Sequence, residues 1–318
     1  VPVVPNPSFH PPWWLRNAHA QTLWPSLVRK VPGLSWQRER LELADGDFLD
    51  LDWSRTGSRR LVVVTHGLEG NSRRAYVAGM ARAANRRGWD ALAWNFRGCS
   101  GEPNRLCRSY HSGATEDLAA VVARAARDGA YDRVAVVGFS LGGNLTLKYL
   151  GELGAAPGLV CGGAGLSVPC DLRAAAMKMA GPACAFYMRR FLQDMGGKMR
   201  EKARQFPGCV DLSALEGMTT FQQFDDAFTG PMHGFQDAED YWAKCSAKRF
   251  LPRIRVPTLV LNALDDPFLA PECFPFAEAT ANAHVTLEAP SLGGHVGFVS
   301  AGADYWSERR TIEFLSAA

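Results

Sequence analysis

Gly138-Phe139-Ser140-Leu141-Gly142 sets a hydroxyl between two glycines, with a strand-like run before it (residues 133–137) and a helix-like segment after it (141–150). A serine hydroxyl is a poor nucleophile until a base takes its proton. A sharp strand-to-helix turn exposes its Oγ and aims the N–H of the next residue, Leu141, at an incoming carbonyl oxygen. That turn forces unfavourable backbone angles on Ser140 and brings helix close to strand. Glycine at 138 and 142 removes the side chains that would collide. A second small-residue loop, His66-Gly67-Leu68-Glu69-Gly70, follows an earlier strand. The N–H groups of Leu68 and Leu141 form the expected oxyanion hole; one such donor is typically worth about 3 kcal/mol. His66 is read as a structural brace of its loop, with a place in the pocket as the alternative.

Chemistry of this kind runs along the chain in the order serine, acid, histidine. Asp265 and Asp266 follow the strand-like run 258–261. One carboxylate must accept the Nδ1–H of the base and stabilise its imidazolium. Asp266, followed at once by Pro267, has the expected reach and is preferred to Asp265. Only His284 and His295 lie beyond it. His284 precedes the last strand, at its wrong end. His295 follows that strand in Gly293-Gly294-His295-Val296-Gly297, a loop able to fold back over the sheet. Ser140, Asp266 and His295 are therefore the expected catalytic residues. His111, in Tyr110-His111-Ser112-Gly113, and His233 are possible pocket residues; such histidines are more often structural, the reading given to His10 and His19.

Alternating elements must position these groups. Residues 61–65, 90–95, 133–137, 159–168, 257–264 and 285–288 contain strand signals, and 73–87, 112–128, 141–150 and 303–315 read as helices. Strands alternating with helices imply crossover connections and a mostly parallel sheet covered on both faces. Residues 170–250 are helix-like and rich in Met, Phe, Arg and Lys, an expected helical cap inserted where open α/β sheets bind ligands. Residues 1–40 form an N-terminal arm holding Trp13, Trp14, Trp24 and Trp36, too aromatic for a disordered tail. The arm is expected to pack on the core, with a role as pocket wall as the alternative. The whole of 1–318 is read as one domain.

Composition narrows the function classes. Hydrophobic residues make up 47% of the 318, enough for a large core. Lys+Arg 35 against Asp+Glu 32 gives +3, which argues against a nucleic-acid binder. No apolar run reaches the roughly 18–20 residues of a membrane-spanning helix, and residues 1–8 do not read as a signal peptide. None of the eight cysteines sits in a Cys-x-x-Cys pair or in zinc-ligand spacing. They are read as reduced thiols of a cytoplasmic protein, with no metal or organic cofactor required.

With these motifs in view, the chain resembles the α/β-hydrolase superfamily and, within it, the YheT-like branch, which groups bacterial hydrolases with plant embryogenesis-associated proteins and eukaryotic α/β-hydrolase-domain lipases and phospholipases. The matching segments are residues 17–22 (NAHAQT), 66–70 (HGLEG), 95–101 (NFRGCSG), 110–113 (YHSG), 138–144 (GFSLGGN) with 148–151 (KYLG), 265–268 (DDPF) and 293–298 (GGHVGF). They span nearly the whole chain. The resemblance implies the α/β-hydrolase fold and a serine hydrolase of carboxylic esters with short- to medium-chain acyl groups, with Ser140 as nucleophile, Asp266 as acid and His295 as base. Some eukaryotic relatives carry an N-terminal membrane anchor; this sequence shows none, which favours soluble esters. Rival readings are an acyltransferase or ester synthase, an acylglycerol lipase, and a non-catalytic ligand-binding protein of the same fold. The last is disfavoured because its usual mark is a broken triad.

Overall fold

Leu61 and Val63 join one apolar cluster while Val62 and Val64 join another, and all four are fully buried. Successive strand residues face opposite sides, so a run buried on both belongs in the middle of a layered sheet. The computed structural model, which describes residues 2–4, 7–127 and 129–317, places it there. Among the described residues nine strands form one sheet: β1 (Val3–Val4), β2 (Gln37–Glu42), β3 (Phe48–Ser54), β4 (Arg60–Thr65), β5 (Asp90–Trp94), β6 (Arg133–Phe139), β7 (Val160–Leu166), β8 (Thr258–Leu261) and β9 (Val285–Glu288). Their order is β1-β9-β8-β7-β6-β4-β5-β3-β2. Every pairing is parallel except those of β3, which runs antiparallel to β2 and β5.

Eleven α-helices accompany the sheet among the described residues. The first four are α1 (Ala18–Val28), α2 (Ala75–Arg86), α3 (Thr115–Ala126) and α4 (Leu141–Leu153). Between β7 and β8 lie α5 (Leu172–Met179), α6 (Ala185–Gln205), α7 (Phe221–Phe224), α8 (Gly230–His233) and α9 (Ala238–Cys245), and no strand among the described residues. The last two are α10 (Phe276–Ala281) and α11 (Trp306–Ala317). Leu118 and Val121 of α3 and Leu145 and Leu147 of α4 bury against one face of the sheet. Val77 and Met80 of α2 and Ile312 and Leu315 of α11 bury against the other.

Buried polar side chains fix how the layers meet. Asn144 donates from Nδ2 to the carbonyls of Ser112 (3.1 Å) and Cys245 (2.8 Å) and accepts from Ala247 N–H (2.8 Å). One amide thus ties α4, the 110–113 loop and the end of α9 together, with its acceptor and both amide protons engaged. The N-terminal arm works similarly. Gln21, fully buried, donates to Leu15 O (2.8 Å) and accepts from Val299 N–H (2.8 Å), and Thr22 Oγ1 accepts from His295 N–H (2.9 Å). A Cβ on Gly294 or Gly297 would stand 2.5 Å from Ala18 O or 2.4 Å from Gln21 O, so this close approach requires glycine. The arm's described residues clasp the histidine loop and contribute nothing to the wall of the main cleft.

The reading of all eight cysteines as reduced thiols needs correction. Cys107 and Cys209 form a disulfide, with Cα atoms 6.5 Å apart, between the loop after β5 and the segment after α6. The end of α6 lies over that loop, where Lys202 also reaches Asn104 and Leu106. The two cysteines stand 102 residues apart in the chain, a separation that carries no spacing signal. The other six are free.

Candidate active site

Ser140 sits on the turn between β6 and α4 with φ 52° and ψ −121°, a left-handed backbone that a side chain rarely tolerates. The hydrogen bonds Ser140 N–H to Leu166 O (2.9 Å) and Asn144 N–H to Ser140 O (3.0 Å) hold it there. A Cβ on Gly138 would lie 2.1 Å from Gly142 O, and one on Gly142 2.2 Å from His66 O. The backbones meet too closely for any side chain at either position.

The turn brings three distant side chains together. Ser140 Oγ lies 2.9 Å from His295 Nε2, and His295 Nδ1 lies 2.8 Å from Asp266 Oδ2. Asp266 is 3% exposed, and its other oxygen accepts from Phe268 N–H at 2.9 Å. Nδ1 therefore carries the proton, donated to Asp266, and Nε2 is free to accept from the serine. Asp265 turns away: its Oδ1 accepts from Gly294 N–H (2.9 Å) and its Oδ2 is buried without a partner among the described residues. Burial, reinforced by the neighbouring Asp266 charge, raises its pKa against the pull of the backbone N–H groups of Gly294, its own residue and Gly293.

The 66–70 loop faces the same cleft. Gly67 N–H donates to Tyr76 Oη (3.0 Å), Glu69 N–H to Tyr110 Oη (2.9 Å), and Gly70 N–H to Gly67 O (3.0 Å). Leu68 N–H is left without a partner among the described residues, as is Leu141 N–H in the first turn of α4, where helices leave donors unpaired. Leu68, Ser140, Leu141 and His295 all line one cleft enclosing about 1100 Å³, part of it open to solvent. Its cap side is apolar, built from Met179, Phe191, Met195, Met199, Phe224 and Phe228.

His111 and His233 line this cleft, their ring centroids 4.5 Å apart. Burial lowers the pKa of His233 to about 4 and holds His111 well below the ordinary imidazole value, so both are neutral at pH 7. His111 Nδ1 accepts from Gly113 N–H (3.1 Å), which leaves its proton on Nε2. His66 is not part of the wall. It is 1% exposed, its Nε2 accepts from Phe96 N–H (3.1 Å), and its Nδ1–H donates to Gly67 O (2.7 Å). With both ring nitrogens engaged by backbone, it braces the loop, and burial lowers its pKa to about 3.

Two polar groups in the cleft escape a reading of the sequence. Lys198 of α6 reaches Glu69 Oε2 (3.0 Å) and Cys99 Sγ (2.8 Å), and Tyr110 Oη donates to Glu69 Oε1 (2.6 Å). This pair links the cap to the loop that carries Leu68 N–H. Removing one partner of a buried pair typically costs 3–5 kcal/mol. Lys198 keeps 23% side-chain exposure, so Lys198→Met is expected to lower stability by about 2 kcal/mol, with a tenfold or larger fall in kcat as the Leu68 loop loosens. Thermal melts and turnover check this; Glu69→Gln added to Lys198→Met should recover most of the stability.

Asp225 is the second. It accepts from Thr229 Oγ1 (2.6 Å) and Trp242 Nε1 (2.9 Å), and burial raises its pKa to about 6. A carboxyl whose folded pKa exceeds its unfolded value stabilises fully below the unfolded value, near 4, and loses that contribution as pH rises to about 6. Asp225→Asn can satisfy the same two partners without the charge. Its stability relative to the native chain is expected to improve by up to about 3 kcal/mol between pH 4 and pH 7, measurable by denaturant titration at each pH. A constant difference would contradict the assignment.

Comparison with known proteins agrees with this architecture. Residues 60–301 match the α/β-hydrolase fold family. YheT of Escherichia coli (strain K12), whose name carries the word esterase, is 37% identical over 310 residues, covering 94% of this chain and 90% of that protein. Phospholipase ABHD3 of Homo sapiens is 29% identical over 311 residues, covering 94% of this chain and 75% of that one. The solved structure of the Pyrococcus furiosus esterase Pf2001 superposes with a TM-score of 0.61 at 17% identity, over 98% of this chain and 97% of that one, a likeness of fold. Family match, sheet order and strand-to-helix turn agree: the chain belongs to the α/β-hydrolase family, in its YheT-like branch.

Proposed function

We propose that the protein hydrolyses carboxylic esters of short to medium apolar acyl chains through an acyl-enzyme on Ser140. The observation that carries this reading is the continuous hydrogen-bonded line from Ser140 Oγ through His295 to Asp266, opening into an apolar cleft. As Oγ attacks the ester carbonyl carbon, His295 Nε2 takes the serine proton. The carbonyl π electrons move onto oxygen, and the N–H groups of Leu68 and Leu141 receive that negative charge. Asp266 stabilises the imidazolium through Nδ1–H. Collapse of the tetrahedral centre breaks the bond to the alkoxy oxygen, which leaves as alcohol with the proton from Nε2. Water then attacks the acyl carbon as His295 Nε2 takes its proton; collapse breaks the bond to Oγ, Nε2 returns the proton to Ser140 Oγ, and the carboxylic acid departs. The chain's own groups relay the protons and stabilise the charges of this cycle, water being the co-substrate, and the esterase and phospholipase names of the relatives support the ester class.

A panel of nitrophenyl esters of graded acyl length tests the reading. We expect kcat/KM to peak between butyryl and octanoyl esters, because the cap's methionines and phenylalanines give an apolar chain a surface to bury, worth about 0.8 kcal/mol per methylene while the cleft has room. Release of nitrophenol no faster than in buffer, for every ester, would overturn it.

A further inference from the structure

Among the described residues ten large apolar side chains are exposed, and six of them, Trp13, Trp14, Trp24, Leu27, Val28 and Phe186, lie on α1, the segment leading into it and the start of α6. Trp13, Leu27 and Phe186 are the extremes at 81%, 77% and 70% exposure. Residues 24, 27 and 28 lie within one arc of α1 by helical spacing, which borders the stripe where Gln21 and Pro25 are buried. Two sets of contacts tie these segments locally. Trp14 and Trp24 rings lie 4.9 Å apart, His19 Nδ1 stands 3.0 Å from Tyr187 Oη, and Phe186 packs on Tyr187 at 5.7 Å. A cluster of this extent seldom stays bare on a monomeric protein.

Its charge says what covers it. No Asp or Glu occurs before Glu39, nor between Asp171 and Asp194. Arg16, Lys30, Lys178 and Arg189 are exposed in these two segments and form no ion pair among the described residues. Exposed tryptophans on segments that carry exposed cations and no acids match the chemistry of an anionic bilayer surface: indole at the headgroup level, apolar side chains just below, and cations on the phosphates. No described helix is long and apolar enough to cross a membrane, so the contact would lie on the surface. The patch also backs onto the cleft: Leu23 of α1 packs with Tyr187 and Phe268, and the Phe268 ring lies 4.3 Å from His295. We propose that α1 and the start of α6 seat the protein on an anionic phospholipid surface, with the cleft opening beside it.

Flotation with vesicles of phosphatidylcholine, alone or with about 30% phosphatidylglycerol, tests this on the full chain. The native protein should float with the anionic vesicles and far less with the neutral ones. Trp13→Ser/Leu27→Ser/Phe186→Ser should weaken binding by about tenfold or more, and Arg16→Gln/Lys30→Gln/Arg189→Gln by a similar factor on anionic vesicles only. Both variants should keep native turnover of nitrophenyl butyrate, since none of the six residues touches the cleft. Absence of binding to anionic vesicles, or binding unchanged in the apolar variant, overturns the proposal. So does a native dimer in sedimentation that the apolar variant splits, which would assign the face to a second copy of the chain. Flotation needs no turnover, so its failure leaves the esterase reading intact, and loss of esterase activity leaves the surface untouched.

Discussion

Ser140→Ala is expected to lower kcat on nitrophenyl butyrate by about 10⁴–10⁶ while the protein still folds. The substitution deletes the atom that forms the bond to substrate in the proposed reaction. The Leu68 and Leu141 donors, His295 and the cleft remain, so a small residual rate over buffer should persist. Stability should change little. Among the described residues the only hydrogen bond of Oγ is the one to His295, and such a bond is worth about 1 kcal/mol. Alanine meets the same left-handed backbone penalty as serine. Steady-state turnover beside a thermal melt reads both quantities. A variant keeping activity within tenfold of the native rate would show that another group makes the acyl bond.

Asp266→Asn should cost nearly as much, about 10⁴ in kcat, whereas Asp265→Asn should stay within a few-fold of the native rate. The geometry separates them. Asp266 Oδ1 already accepts from Phe268 N–H, and Oδ2 accepts from His295 Nδ1. An asparagine that keeps the first bond turns its amide NH₂ toward Nδ1. The imidazole proton then moves to Nε2, where it faces Ser140 Oγ as a donor, and the base is lost. Asp265 meets the histidine loop through backbone N–H groups, Gly294 N–H at 2.9 Å foremost, and its unpartnered Oδ2 is a burial cost. An amide there removes a disfavoured charge and should hold or raise stability. The opposite pattern would move the acid role to Asp265.

The parts of this molecule that are legible in its sequence are those whose physics is local. β4, β5 and β6 contain continuous apolar runs bounded by glycine or charge, because a strand covered on both faces has no polar side to show. The strand-to-helix turn shows itself through Gly138 and Gly142, which steric contact alone demands. The β2–β3 hairpin does not read as strand. β2 is QRERLE, and β3 carries Asp50 and Asp52, residues depleted in strands. Those carboxylates are buried against Arg40, Arg38 and Arg73, partners that only the folded sheet supplies. The same reasoning covers Lys198 with Glu69 and Cys107 with Cys209: each pair lies more than a hundred residues apart, and neither spacing nor composition marks it. The tryptophans of the N-terminal arm suggest burial, yet Trp13, Trp14 and Trp24 are exposed; its clasp on the histidine loop depends on Gln21 and Thr22, two polar residues with no pattern around them.

Covalent acylation of Ser140, with His295 as its base, underlies the proposed hydrolysis. Exposing the native chain to a fluorophosphonate, then locating the added mass by peptide mass spectrometry, tests it most directly. A single stoichiometric adduct on Ser140, absent from His295→Ala and accompanied by full loss of ester hydrolysis, is the predicted result. An adduct on another residue, or none while ester hydrolysis continues, would contradict it.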